Sequence, residues 1–170
     1  MTKLATYIPE ACTFLAFGIP IDGFVDNTFI SVIKDERPFS TVKTPDGTVA
    51  RLYNSDQTYT ITLTLYSGSD SNDVLTKLWQ LDEITQRGKF PVFIKDSSGS
   101  DLFFSATTWI ESPASIIKSN SFEPRTWVFK SSSAVINIGG NGDASSILND
   151  LVNLATSCLL YTSPSPRDAT

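Results

Sequence analysis

The chain has 170 residues, of which 41% are hydrophobic and 18% are charged, and this composition is typical of one globular domain. Its 13 Lys and Arg against 18 Asp and Glu give a net charge of -5, without a basic cluster that could neutralise a row of phosphates. The absence of histidine removes the commonest general base near neutral pH and the commonest metal ligand. We therefore expect no enzyme, no direct binding to nucleic acid, and no catalytic, cofactor-binding or metal-ligating residues.

Membrane and secretion signals are also missing from the sequence. No apolar run reaches the roughly 18 residues of a membrane span, and the N-terminus lacks the pattern of a signal peptide. We expect a soluble protein made in a cytoplasm, without a membrane partner. The two cysteines, Cys12 and Cys158, cannot build a disulfide framework or a zinc cluster, and Cys12 is interpreted as a small core residue.

The first third of the chain predicts two strands and a projecting arm. Apolar residues predict strands at 12–17 and 28–33. A longer polar stretch, residues 37–57, contains the turn signal Pro45-Asp46-Gly47. We expect this stretch, called the arm below, to form an extended hairpin that projects from the body, with a disordered polar loop as the alternative.

The centre of the chain carries the clearest periodicities. From Thr58 to Tyr66, apolar residues alternate with threonines, which predicts a half-buried strand. Residues 71–87 follow good N-cap residues, place an apolar face at helical spacing and end at Gly88, so they predict a helix. The apolar face of this helix consists of Val74, Leu75, Leu78, Leu81 and Ile84.

The last part of the chain predicts further strands and a second helix. Residues 90–95 and 102–110 flank the turn residues 96–100 and should form a hairpin, and residues 126–129 predict another strand. A glycine-rich linker precedes an amphipathic helix at 143–156. The fold class predicted is thus mainly β, an antiparallel sandwich or barrel with one flanking helix (71–87) and a C-terminal helix (143–156).

The C-terminal tail has an unusual sequence. Residues 158–168 resemble, in one reading frame, the translation of a transposon-end adaptor used in shotgun sequencing libraries. We therefore predict that residues 158–170 are a non-native or disordered tail, and that the gene was cut near Ser157. The domain division predicted is 1–142 for the β body, 143–157 for a truncated amphipathic helix and 158–170 for the tail.

A series of segments, taken in order and spacing, resembles the structural proteins of contractile phage tails. These segments are IPIDGF at 19–24, FISV at 29–32, TITLTL at 60–65 running into SNDVL at 71–75, FPVFIKDSSG at 90–99, WIESP at 109–113, RTWVF at 125–129 and IGGN at 138–141. The resemblance implies a tail tube protein: a β-sandwich or barrel that assembles as hexameric rings and stacks inside a contractile sheath. It implies a virion location, assembly in a bacterial host cytoplasm, and three protein partners, namely sheath, baseplate and tail terminator. Genomic DNA would pass through the lumen without specific binding.

Three sets of residues are predicted to carry this role. In the arm, the candidate contacts to a neighbouring subunit or ring are Phe39, Val42, Val49 and Leu52. On the helix at 71–87, the candidate ring contacts are Lys77, Gln80 and Glu83, with a solvated helix face as the equal alternative. Lining the lumen, the candidates are Thr58, Thr60, Thr62 and Thr64, whose small neutral hydroxyls neither bind nor strongly repel phosphates.

Other functional classes remain open at this point. A carbohydrate-binding or adhesive β-sandwich would use Trp79, Trp109 and Trp127 on a concave face, although large aromatic residues more often fill a core or an interface. A hydrolase would need paired carboxylates that converge in a cleft. A tube-like baseplate or tail-completion protein would form a ring that does not stack.

Overall fold

The computed structural model describes residues 7–140 and residue 153 of the chain. Over these residues the chain forms ten strands, one α-helix and a short 3-10 helix, Pro9–Ala11. The strands are β1 (Cys12–Ala16), β2 (Ile19–Pro20), β3 (Ile30–Lys34), β4 (Phe39–Lys43), β5 (Val49–Tyr53), β6 (Tyr59–Tyr66), β7 (Phe90–Asp96), β8 (Leu102–Ser112), β9 (Pro124–Ser131) and β10 (Val135–Asn137). The helix, α1, spans Ser71–Thr85.

Eight strands form one antiparallel sheet, and the remaining two form a separate hairpin. The main sheet has the order β2-β1-β7-β8-β9-β6-β3, and β10 pairs with the first part of β8. Strands β4 and β5 pair with each other in a two-stranded sheet. The predicted mainly β, antiparallel fold class with a flanking helix is therefore confirmed.

The main sheet curls around its apolar face. Phe14 of β1 and Phe129 of β9 lie three strand spacings apart, roughly 14 Å in a flat sheet. Their ring centroids are nevertheless 5.8 Å apart. Tyr59 of β6 and Phe103 of β8 also meet across the curl, with centroids 5.7 Å apart. The core therefore lies inside a partly closed barrel.

Strand β6 shows how the sequence produces this core. Its burial alternates residue by residue, and Ile61, Leu63 and Leu65 are fully buried while the intervening threonines are half-buried. Burying each of these aliphatic side chains contributes about 1.5–3 kcal/mol, which stabilises β6 between β9 and β3. The half-buried strand predicted at 58–66 is confirmed.

Helix α1 is tied to the body at its N-terminal half. The Asn72 side chain is buried, its Oδ1 accepts a hydrogen bond from Trp127 Nε1 at 3.0 Å, and its Nδ2 donates to the Tyr66 and Ser69 carbonyls. Leu75 is fully buried beside this network. These contacts fix the start of the helix against the inner face of the sheet.

The C-terminal half of α1 departs from the sequence prediction. The helix ends at Thr85, not at 87, because Gln86 takes the left-handed conformation (φ 56°) and donates its N–H to the Asp82 carbonyl. Leu81 and Ile84, predicted on the apolar face with Leu75, are 54% and 83% exposed. The apolar stripe therefore extends past the part of the body that covers it.

The remaining predicted elements have mixed outcomes. Strands are confirmed within a few residues of each predicted range, and β7 and β8 form the predicted hairpin. Strands β2 and β10 were not predicted, because runs of two and three residues carry no detectable period. The predicted C-terminal helix and the tail at 158–170 lie outside the described residues, apart from the helical residue 153, so the domain division stays a prediction.

Candidate assembly surfaces

The arm forms the predicted hairpin and exposes large apolar side chains. Its turn is stabilised by the Gly47 N–H donating to the Thr44 carbonyl at 3.0 Å, and Gly47 has a φ of +85° that favours glycine. All residues of β4 and β5 except the half-buried Ala50 are exposed. The four predicted contact residues Phe39, Val42, Val49 and Leu52 are 44%, 43%, 60% and 54% exposed.

The register of the hairpin divides these four residues between two faces. Phe39 pairs with Tyr53 and Lys43 with Val49, while Val42 pairs with Ala50 on the other face. Tyr53, 64% exposed, and Arg51 join the face of Phe39; the Phe39 and Tyr53 ring centroids are 5.5 Å apart. The Arg51 guanidinium lies 3.5 Å from the Phe39 centroid. Neither Tyr53 nor Arg51 was predicted, because assigning a face requires the register of the turn.

The predicted lumen residues share the outer face of the sheet, opposite the core. Thr60, Thr62 and Thr64 are half-buried on β6, and Thr58 lies just before that strand. An ion pair lies beside these threonines: Lys130 Nζ is 2.7 Å from Asp35 Oδ2. The Thr60 hydroxyl donates a hydrogen bond to the same carboxylate. These two hydrogen bonds lower the pKa of Asp35, and the Asp35 carboxylate raises the pKa of Lys130. The four threonine hydroxyls are thus neutral, and the cation beside Thr60 is paired with Asp35.

The predicted helix contacts are exposed and adjoin apolar neighbours. Lys77, Gln80 and Glu83 all lie on the exposed side of α1. Leu81 and Ile84 follow Lys77 and Gln80 at helical spacing, so the stripe combines charged and apolar side chains. Whether this stripe contacts a neighbour stays a prediction.

The tryptophans do not line one common groove. Trp127 is 3% exposed in the core, and Trp79 on α1 packs against the core cluster. Trp109 is half-buried on β8, pairs with Lys130 of β9 and has buried residues on both sides, which places it on the outer face. The concave aromatic face of the carbohydrate-binding alternative is therefore not formed by these residues.

A groove opens where the curled sheet fails to close. Its volume is about 350 Å³, and it lies between β3 and the adjoining ends of β1, β7, β8 and β10. The lining is mostly apolar and includes Cys12 and two carboxylates, Asp96 and Asp101. Burial, followed by the negative charge of Asp96 and Asp101, raises the pKa of the Cys12 thiol.

The described part of the chain lacks two further kinds of functional feature, a metal-binding cluster and a membrane-spanning helix. Residues 7–140 contain no group of three or more Cys, Asp or Glu side chains arranged to hold a metal ion. Within the described residues, no helix is both long enough and apolar enough to cross a membrane.

Comparison with known proteins identifies a sequence relative from a bacteriophage. The structural protein ORF10 of Pseudomonas phage KPP10 is 31% identical over 147 residues, which cover 82% of this chain and 85% of that protein. The chain belongs to this family of phage structural proteins. No protein-family model matches the chain.

Solved structures share the fold of this phage structural protein at low sequence identity. A chain of the anti-feeding prophage tube terminating cap has a TM-score of 0.53 and 13% identity, covering 81% of this chain and 94% of that chain. A chain of the PVC sheath/tube terminator in the extended state has a TM-score of 0.53 and 13% identity, over 81% of this chain and 100% of that chain. A chain of the native gene transfer agent virion has a TM-score of 0.54 and 11% identity, over 78% and 100% respectively. These likenesses show the fold.

Proposed function

We propose that this phage structural protein is a tail tube subunit of a contractile-tailed phage, and that it assembles into hexameric rings that stack around a DNA conduit. The arm is the observation that carries this proposal. It exposes apolar residues on both of its faces, and exposed apolar patches of this kind mark protein interfaces. The number of subunits per ring is taken from the resemblance to tail tube proteins.

The rest of the surface suits a subunit that pairs with copies of itself. Strand β3 ends the main sheet and has no strand on its outer side among the described residues, so it offers backbone groups for pairing. A ring closes when one surface patch meets a different patch on the next subunit. We propose that the arm, β3 and the exposed edge of α1 supply such patches, and that Phe39, Val42, Val49, Leu52, Lys77, Gln80 and Glu83 are interface residues.

The outer face of the sheet supports the conduit role. Thr58, Thr60, Thr62 and Thr64 present neutral hydroxyls, and Lys130, which pairs with Thr60 across the strands, forms an ion pair with Asp35. Neutral hydroxyls beside a paired cation would hold a passing phosphate backbone less strongly than a row of free cations would. We propose that this face lines the lumen, that the protein resides in the virion tail without an enzymatic role, and that sheath, baseplate and terminator proteins are its partners.

A substitution in the arm tests the proposal. Phe39→Asp places a charge among the apolar contacts of the interface, so we expect electron microscopy and light scattering to show dispersed subunits in place of rings. Ile116→Asp is the matched control, because Ile116 is 80% exposed in the loop between β8 and β9. Normal rings and normal stacking in Phe39→Asp would count against the arm as the interface.

A tube terminator is the second candidate function. It is favoured by the fold likeness to chains of a tube terminating cap and of a sheath/tube terminator. A terminator would form single closed rings that do not stack, whereas a tube subunit would form stacks of rings. Counting rings per particle in electron micrographs therefore distinguishes the two.

A further inference from the structure

One face of the arm is aromatic and basic. The register places six residues on it, and this basic face consists of Phe39, Thr41, Lys43, Val49, Arg51 and Tyr53. Lys43 and Arg51 give the face two positive charges, and none of its members is acidic. The opposite face, which carries Ser40, Val42, Ala50 and Leu52, is uncharged.

The open groove of the body has the complementary character. Asp96 and Asp101 are its charged lining residues, and no Lys or Arg belongs to the lining found among the described residues. Asp96 is buried and accepts hydrogen bonds from Ser98, whereas Asp101 is exposed and accepts one from the Gly139 N–H, so Asp101 is the more accessible carboxylate. The apolar part of the lining, for example Ile30, Val32 and Phe103, suits aromatic and aliphatic side chains. Tyr7 also lines the groove and is 55% exposed; desolvation, followed by the negative charge of Asp96, raises the pKa of its hydroxyl.

We propose that the basic face of the arm of one copy binds the acidic groove of a neighbouring copy. This inference rests on the proposed function, since it names the partner surface of the interface that holds the subunits together. The arm face is open in the single chain, where Tyr53 and Val49 are 64% and 60% exposed, and Ile30 and Val32 on the β3 side of the groove are half-buried. Positive charge on one face only then selects which side of the arm enters the groove.

The chain's own C-terminal segment is the competing occupant of the groove. Residues 143–156 are apolar at Ile147, Leu148 and Leu151, and they follow β10, which lines the groove. Their charged residues are Asp143 and Asp150, however, and they include no Lys or Arg. Two carboxylates brought to a groove with two carboxylates repel each other, so charge favours the arm.

Cys12 provides a probe inside the groove. In a Cys158→Ser background it is the sole thiol, and Thr41→Cys adds a second one at the centre of the basic face. Val42→Cys is the matched control, because the neighbouring residue points to the opposite face of the same strand. Oxidation of assembled particles with copper phenanthroline joins two thiols as a disulfide, with two electrons passing to the oxidant.

We expect Thr41→Cys to give chain-to-chain disulfides to Cys12, seen on non-reducing gels and located by peptide mass spectrometry, at least about fivefold more than Val42→Cys. If both variants form normal rings but cross-link to Cys12 to the same extent, or not at all, the groove proposal is overturned and the ring proposal stays intact. Failure of the Cys158→Ser parent to form any oligomer would overturn the ring proposal, and the groove proposal with it.

Cys12 reactivity in dissociated subunits tests the competing occupant. We expect the thiol to react with a small alkylating reagent in the dilute subunit and to be protected in the ring. Protection that is equal in both states, and that is lost on Leu148→Asp, would assign the groove to the chain's own C-terminal segment and overturn the proposal.

Discussion

The body and the arm are both built of antiparallel strands, but apolar side chains are buried in the body and exposed in the arm. In the body, apolar residues of β6 occupy one face, and Ile61, Leu63 and Leu65 are fully buried. In the arm, apolar residues lie on both faces, and Phe39 and Leu52 remain 44% and 54% exposed. A strand with one apolar face completes a fold, whereas a hairpin with two apolar faces needs another molecule to cover it.

The energetics of the two regions differ for the same reason. The body gains its stability from aromatic contacts across the curl of the sheet, such as Phe14 with Phe129. An isolated two-stranded hairpin is marginally stable at best in water, because it buries little apolar area. The arm should therefore contribute little to the stability of the free subunit and much to assembly.

Replacing one aromatic residue in each region should give the largest contrast. Phe129→Ala removes a fully buried ring that contacts Phe14 and Phe90, and should lower the free energy of unfolding by about 3–5 kcal/mol. Phe39→Ala should change it by less than about 0.5 kcal/mol in the dissociated subunit, as for an exposed site. Urea unfolding of both variants checks this, and equal losses would remove the distinction between body and arm.

The helix anchor should show the next largest effect. Asn72→Ala leaves the buried Trp127 indole N–H without its partner and removes one of the two hydrogen bonds to each of the Tyr66 and Ser69 carbonyls, and should cost about 1–3 kcal/mol of unfolding free energy. Asn27→Ala, at an exposed position, is the control and should be near neutral. Thermal unfolding followed by tryptophan fluorescence measures both. An unchanged midpoint in Asn72→Ala would show that α1 is held by its apolar contacts alone.

A turn substitution should affect assembly more than the body. Gly47→Ala forces a side chain into a left-handed conformation at the tip of the arm, at a cost of about 1 kcal/mol. We expect ring formation to require a severalfold higher protein concentration, while urea unfolding of the body stays unchanged. A matching loss in body stability would mean that arm and body fold as one unit.

The smallest effect should come from the ion pair on the outer face. The lowered pKa of Asp35 means that its pairing with Lys130 stabilises the fold above the ordinary value of 3.8, and that this stabilisation is lost as pH falls through the lowered pKa. Asp35→Asn should therefore make the free energy of unfolding depend less on pH in the acid range. At neutral pH it should cost at most about 1 kcal/mol, because the pair is partly solvated. Urea unfolding above and below pH 3.8 tests this. If the free energy of unfolding falls with pH as it does in the unsubstituted protein, the ion pair does not contribute to stability.

Local pattern was enough to predict the longer elements, but not the short strands β2 and β10 or the surfaces that the elements form. The alternation at 58–66 gave β6, and Pro45-Asp46-Gly47 gave the arm, since both signals are contained in a few neighbouring residues. The burial of the helix face was predicted less well, because Leu81 and Ile84 repeat the helical spacing of Leu75 beyond the part of the body that covers it.

The candidate sites depend on pairings that are distant in sequence. Phe39 and Val42 were both predicted as arm contacts, but only the register with β5 shows that they occupy different faces. The groove brings Cys12, Ile30, Asp96 and Ile136 together from four strands, and no local spacing carries that information. Long-range closure of the sheet therefore had to be observed before the groove could be recognised.

Electron microscopy of the purified 170-residue chain, with light scattering on the same sample, tests whether the subunits assemble into stacked rings. We expect rings of about six subunits that stack into tubes as protein concentration rises, because the arm and its acceptor surface recur on every copy. A monomer that persists across concentration and salt would contradict it, since the exposed apolar faces of the arm would then have no partner surface on other copies of the chain.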